Sequence, residues 1–449
     1  MIHGVSHRRK KGTNARRALR GWRAGLGRAL IGTVAVLGAG GALCNNKSTH
    51  PEEPVAKTPE ARMVQSVNKR LRKTGVTVDT SKLLTESKQR DAAALDLGAQ
   101  IGLGLRAEHM DVLWQMRRIL EATPPIRSLK RLRSEAVDAR LPGVRVYYAT
   151  DRRAMVFIQA DQQDTVSLEG AVAAELVYAF YDQGPGGLAE ALYEPSGHLD
   201  GVRVRKCLLE GHARLAELLL RHGNIDNLSE EARAELGAPP LHLHATLTET
   251  LCAAGAEFLF ARYREGGWAA LLRAVRNPPP STEQLIHASK VDLDFPVNVS
   301  LPGWPEDDGE DDYMGSAKLV YEDVMGELTM HRMLLERGVD PAQAQLAAVG
   351  WDGDLLRVYE HVSGERVFIW RSAWDREIDA QQFAAAIAPK GIEPRAFRVE
   401  RHGRVVDAVS ASPALASKLH QVLSARPSEP TAQPSDAAST AAIEARLGG

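Results

Sequence analysis

Cysteine is scarce in this sequence, with three residues among 449, at positions 44, 207 and 252. So few exclude a small disulfide-dense scaffold. Cys207 and Cys252 both lie in apolar helical patterns and are expected to be buried thiols. A dominant charge is also lacking, because 56 Lys and Arg face 57 Asp and Glu. The apolar run Ala29–Leu43 has fifteen residues, short of the ~20 that a membrane span requires. With 44% hydrophobic and 25% charged residues, the composition is globular, neither fibrous nor multi-span.

The charge is unevenly placed. Residues 1–44 hold nine Lys or Arg and no acid, and Ala29–Leu43 closes that segment. A basic head followed by a short apolar core is the layout of an export signal, with an uncleaved anchor as the alternative. Gly41-Ala42-Leu43-Cys44 is similar to a lipoprotein box, which makes Cys44 a candidate for lipidation, although Leu43 stands where a small residue is wanted. Arg8-Arg9 and Arg16-Arg17 lack the apolar context of a twin-arginine signal. Without this segment 47 basic residues face 57 acidic ones, a balance near −10 that disfavours a nucleic-acid partner. The expected location is the cell envelope, periplasmic or membrane-anchored.

The expected organisation is a tether over 45–61, a helical region over 62–143, a main domain over 144–345, a small domain over 346–424 and a disordered tail over 425–449. Val144–Tyr148 and Ala154–Ile158 read as a hairpin across Thr150-Asp151-Arg152. Strong helical patterns follow at Ser167–Tyr181, Val202–His222, Thr246–Arg264 and Ala317–Arg337. The last part alternates as ββα-ββα, so the fold class is α+β. The acidic patch Glu306–Asp312 reads as a solvated loop.

Within Gly170–Tyr181 the lone polar residue of an otherwise apolar helix is Glu175, so its carboxylate is expected to be buried. Burying a charge is costly unless something compensates, so such an acid is functional or inherited from a function. Ala174-Glu175-Leu176-Val177-Tyr178-Ala179-Phe180-Tyr181-Asp182-Gln183 resembles the His-Glu-x-x-His-Ala-x-Gln-Asp-Gln helix of a family of exported zinc metallopeptidases. Leu209-Glu210-Gly211-His212-Ala213 resembles that family's second helix, in which the Glu is the third zinc ligand. Further matches run in order through Gly266-Gly267-Trp268, Pro279–Gln284 with His287, Gly350–Asp354 and Trp374-Asp375.

The resemblance implies a helix-rich zincin-like core, with Glu175 as a remnant general base, Glu210 as a remnant ligand and His287 in the cleft. The departures bear on chemistry. In such an enzyme two His one turn apart hold Zn²⁺ while the Glu between them activates water. Here those positions are Ala174 and Tyr178, and neither is a good zinc donor. No metal or other cofactor is therefore expected. Arg214, one turn after Glu210, is expected to fill the vacant position with the Tyr178 hydroxyl and to neutralise Glu210.

The expected protein is a catalytically inactive, peptidase-like envelope protein. It would bind a peptide or protein partner or serve a structural role. The alternative is an active hydrolase with an atypical or relocated metal site, for which His242 and His244 are candidate donors. Ser281 is expected to cap a helix in a box with Gln284, and Trp268, Trp351 and Trp374 to anchor packing.

Overall fold

Thr58 accepts the Ala61 N–H at the start of the first helix, and Pro59 supplies the fixed φ that suits a first helical turn. The computed structural model describes residues 58–100, parts of 111–159, 165–193, 197–237, 252–301, 317–389 and parts of 396–420, with isolated gaps. Cys44, His242, His244, the Glu306–Asp312 patch and the C-terminal tail lie outside the described residues. The chain divides after Glu53, and all described residues belong to the second unit.

The chain order is α1 (Pro59–Leu71), β1 (Leu84–Lys88), α2 (Arg90–Gln100), β2 (Val146–Ala149), β3 (Ala154–Ile158), α3 (Thr165–Asp182) and α4 (Gly187–Tyr193). Then come α5 (Leu199–His222), α6 (Glu230–Ala234), α7 (Ala253–Arg276) and α8 (Thr282–Ile286). The remainder is β4 (Ala317–Asp323), α9 (Gly326–Glu336), α10 (Pro341–Ala348), β5 (Trp351–His361), β6 (Arg366–Trp374), α11 (Glu377–Ile387), β7 (Ala396–His402) and β8 (Val405–Ala411). The protein is α+β.

The expected hairpin is present as β2 and β3, antiparallel, with β1 added parallel to β3. Leu84-Thr85-Glu86-Ser87-Lys88 has no apolar alternation, and this strand is a correction to the all-helical reading of its region. The second sheet has the order β4-β5-β6-β8-β7, all antiparallel, so two hairpins meet through their inner strands β6 and β8. Ala317–Asp323 is an edge strand of this sheet rather than the start of a helix, and the sheet therefore opens upstream of residue 346. Its Tyr321 and Asp323 are buried while their neighbours are exposed, the alternation of a half-covered strand.

Two large cores result. The first gathers α1, α3, α5 and α7 around Val172, Leu176, Leu208, Leu215 and Leu259. The second packs Met330, Trp351, Trp370, Trp374 and Phe383 against Val112, Met116 and Leu120 from the N-terminal region. The helix α5 contributes to both, Leu199 to the second and Val204–Leu220 to the first.

Cys207 and Cys252 form a disulfide, correcting the expectation of two thiols. Their proximity follows from two glycines. A β-carbon on Gly211 would lie 2.5 Å from the Gly255 carbonyl carbon, and one on Gly255 would lie 2.0 Å from the Cys207 carbonyl oxygen. With neither β-carbon present, α5 and α7 close until the two Cα atoms are 4.8 Å apart. Further along, α7 is broken at Gly266-Gly267, where Gly267 has φ +64°.

Candidate functional site

The α3–α5 pair carries the residues of the zinc-motif resemblance. Glu175 is 1% exposed, and its carboxylate accepts the backbone N–H of Tyr148 on β2 at 2.8 Å. Ala174 and Tyr178 on the same helix are buried, and Glu210 on α5 is 1% exposed. Lys206 Nζ lies 3.9 Å from Glu210 Oε1, one turn before it on α5 and itself buried. Arg203, three residues before Lys206, is also buried.

Arg214 does not neutralise Glu210. Its Nη1 donates to Glu217 at 2.7 Å, and its Nε and Nη2 donate to the Glu235 carbonyl at 3.0 and 2.8 Å. The physical reason is competition. Glu217 lies one turn further along α5, and the carbonyl that ends the turn after α6 accepts both remaining faces of the guanidinium. The donor set does not suit zinc either, since Ala174 offers no lone pair and an ammonium stands next to Glu210.

The other motif residues hold structure. Asp182 accepts from the Tyr148 hydroxyl at 2.7 Å, and Gln183 exchanges two bonds with the backbone of Asp79. His212 is fully buried, 3.0 Å from the Tyr181 hydroxyl and near the Trp268 ring. Burial pushes it down to about 3, so it is neutral across the ordinary pH range.

The downstream motifs, in contrast, converge. Asn277 ends α7, the three following prolines prevent its continuation, and Ser281 Oγ accepts the Gln284 N–H to start α8. Only half of the expected capping box forms, because the Gln284 side-chain amide donates to the Asp294 carbonyl instead. The short helix presents Glu283, His287 and, on the next turn, Lys290.

Lys290 Nζ lies 2.6 Å from Glu283, 2.7 Å from Asp375 and 2.8 Å from Asp294. His287 Nε2 lies 2.9 Å from Glu327 at the start of α9. Asp352, on β5, senses both Asp375 and Asp294. Burial drives Glu283 up to about 8 against the pull of Lys290, and burial with the nearby Asp375 and Asp294 drives Asp352 up to about 6. The Glu327 bond raises His287 above its usual range.

Behind this cluster lies a second set of buried carboxylates. Asp354 accepts the Met325 and Gly326 N–H groups at the start of α9, and both the Trp351 and Trp370 indoles. Asp200 accepts the Thr282 N–H and hydroxyl, and Asp323 caps α5 through the Leu199 N–H. Trp351 and Trp374 are therefore packing residues with satisfied indoles, Trp374 donating to Ser372.

Residues 317–420 match a domain of unknown function, DUF8575. No curated protein and no solved structure matches the chain. The matched segment covers the second sheet, supplies Glu327, Asp352 and Asp375 to the cluster and holds Asp354 of the second set. Glu283, His287, Lys290 and Asp294 come from outside it.

Sequence reasoning named His287 and quoted the motifs around it. It missed Lys290 and Asp294 as members of one group. The available signal was the i,i+4 spacing of Lys290 and Asp294 just after a capped helix.

Proposed function

We propose that this chain is a peptidase-like envelope protein that does not hydrolyse peptides through zinc, and that its α3–α5 pair is structural. The observation that carries this reading is the Lys206 ammonium 3.9 Å from Glu210, both side chains almost closed to solvent. A monovalent internal cation stands beside the carboxylate that the family resemblance assigns to the metal. Glu175, the counterpart of the general base, is almost closed to solvent and accepts the Tyr148 backbone N–H.

The Cys207–Cys252 disulfide supports an exported location, because such bonds persist in oxidising compartments. The basic head and apolar run before Cys44 support the same location, with lipidation of Cys44 or a signal anchor as the tie to a membrane. A peptide or protein partner remains the proposed ligand class.

The test is metal analysis of the purified protein, together with a peptidase assay with and without chelator. No stoichiometric zinc and no chelator-sensitive cleavage are expected, and either one overturns the proposal. A companion triple variant, Ala174→His with Tyr178→His and Lys206→Met, is expected to take up zinc. Failure of that variant to bind zinc would sever the link to the peptidase family.

A further inference from the structure

The helix α1 and the turn that ends it concentrate positive charge. Residues 58–73 hold five Lys or Arg and a single acid, Glu60, in a chain whose balance beyond residue 44 is near −10. Val64, Val67 and Leu71 are buried in the first core, so packing fixes which side of the helix faces out. On that outer side Arg62, Ser66 and Lys69, at i, i+4 and i+7, are all exposed, and Lys73 is exposed in the following turn. The stripe from Arg62 to Lys73 is about 16 Å long.

The fold leaves these cations unused. Arg70 is paired with Glu169, and Glu60 accepts the Ser87 hydroxyl. Among the described residues Arg62, Lys69 and Lys73 form no ion pair. Lys69 and Lys73 complement the dipole at the end of the helix, but Arg62 stands near its start, where a cation is disfavoured. Helix stability therefore does not account for the whole stripe.

Its place in the chain suggests the partner. The thirteen residues 45–57 join Thr58 to Cys44 and to the apolar run before it, and that length of chain spans at most about 50 Å. Along the chain, α1 is thus the first described helix after the segment proposed above as a membrane tie, a reading on which this inference rests.

We propose that the outer face of α1, through Arg62, Lys69 and Lys73, lies on anionic headgroups of the bilayer that holds the N-terminal segment. A tie and a basic patch reinforce each other, because the tie keeps headgroups close and each Lys or Arg near an anionic surface adds to the attraction. The acidic balance of the rest of the chain opposes other contacts with the same surface, so this one sets the orientation of the folded part.

Amine acetylation of the full chain reconstituted in vesicles, followed by mass spectrometry, tests this. Lys69 and Lys73 are expected to react several-fold more slowly in vesicles of phosphatidylcholine with phosphatidylglycerol than in phosphatidylcholine alone, and to lose that protection as salt is raised. Lys318, exposed on β4, is the internal control and should react alike in both. Arg62→Glu reverses an exposed charge and should weaken the protection of both lysines. Equal rates in the two lipids, protection shared by Lys318, or protection undiminished in Arg62→Glu overturns the proposal.

Flotation with phosphatidylcholine vesicles reads the tie separately. A chain that does not float overturns the anchored reading and this contact with it. A chain that floats but shows no lipid-dependent protection overturns the α1 contact alone.

Discussion

Gly326 and Asp200 are in such close contact that a β-carbon on the glycine would lie 1.7 Å from the carboxylate Oδ1. The glycine also has φ +76°, which L side chains rarely adopt. Gly326→Ala is therefore expected to cost about 3 kcal/mol or more of stability, through backbone strain and displacement of Asp200 from Thr282. Gly338 has the same φ but open space around it, so Gly338→Ala should cost only about 1–2 kcal/mol. Urea melts of the two variants separate the steric part from the conformational part.

Asp200 and His212 should give opposite pH dependences. Burial raises Asp200 to about 7, so the folded state binds this proton more tightly than the unfolded chain does. Its stabilising contribution is complete below the unfolded value of about 3.9 and is lost as pH rises through about 7. Burial lowers His212 to about 3, so its contribution is complete above the unfolded value of about 6.5 and is lost as pH falls toward 3. Relative to wild type, Asp200→Asn should gain stability as pH rises from 4 to 8, and His212→Phe should gain as pH falls from 7 to 4. Denaturant midpoints across that range check both slopes, whatever each variant's absolute stability.

Arg371 and Asp407 face each other across β6 and β8 in a two-pronged ion pair, at 2.7 and 2.9 Å, with both side chains buried. Arg371→Met or Asp407→Leu alone would leave a charge in the sheet interior and should cost about 3–5 kcal/mol. The double variant should cost clearly less than the sum. A thermodynamic cycle from four melting curves measures the coupling, and additive losses would contradict it.

Reduction of Cys207–Cys252, separated by 45 residues, should lower stability by about 3–5 kcal/mol. Cys252→Ser should melt alike with and without reductant, near the reduced wild-type value.

Local pattern made much of the fold legible. The helices around Glu175 and Glu210, the β2–β3 hairpin, the strand pairs β5–β6 and β7–β8 and the Ser281 cap all follow from periodicity and turn chemistry over a few residues. What escaped depends on partners distant in the chain. Leu84–Lys88 becomes a strand through pairing with Ala154–Ile158, and Ala317–Asp323 through pairing with β5. The disulfide depends on two glycines whose meeting is tertiary.

The site was legible in part for the same reason. Glu210 has a basic residue one turn away in each direction, Lys206 and Arg214, and helix geometry alone cannot choose between them. The choice is made by Glu217 and the Glu235 carbonyl, which claim the arginine. The motifs around Glu283, His287, Asp352 and Asp375 were each visible as fragments. Their meeting around Lys290 required the fold.

The sharing of α5 between two cores bears on how this protein can be cut apart. The helix spans about 36 Å, with its first turn held by Asp323 and its later turns bonded to α7 through Cys207. A fragment trimmed to 317–420 would lose Leu199 and the Val112–Leu120 residues, leaving apolar surface of Met330 and its neighbours facing water. The stretch recognisable by similarity is thus smaller than the stretch able to stand alone, and a portable unit has to carry α5 and residues 112–120 with it.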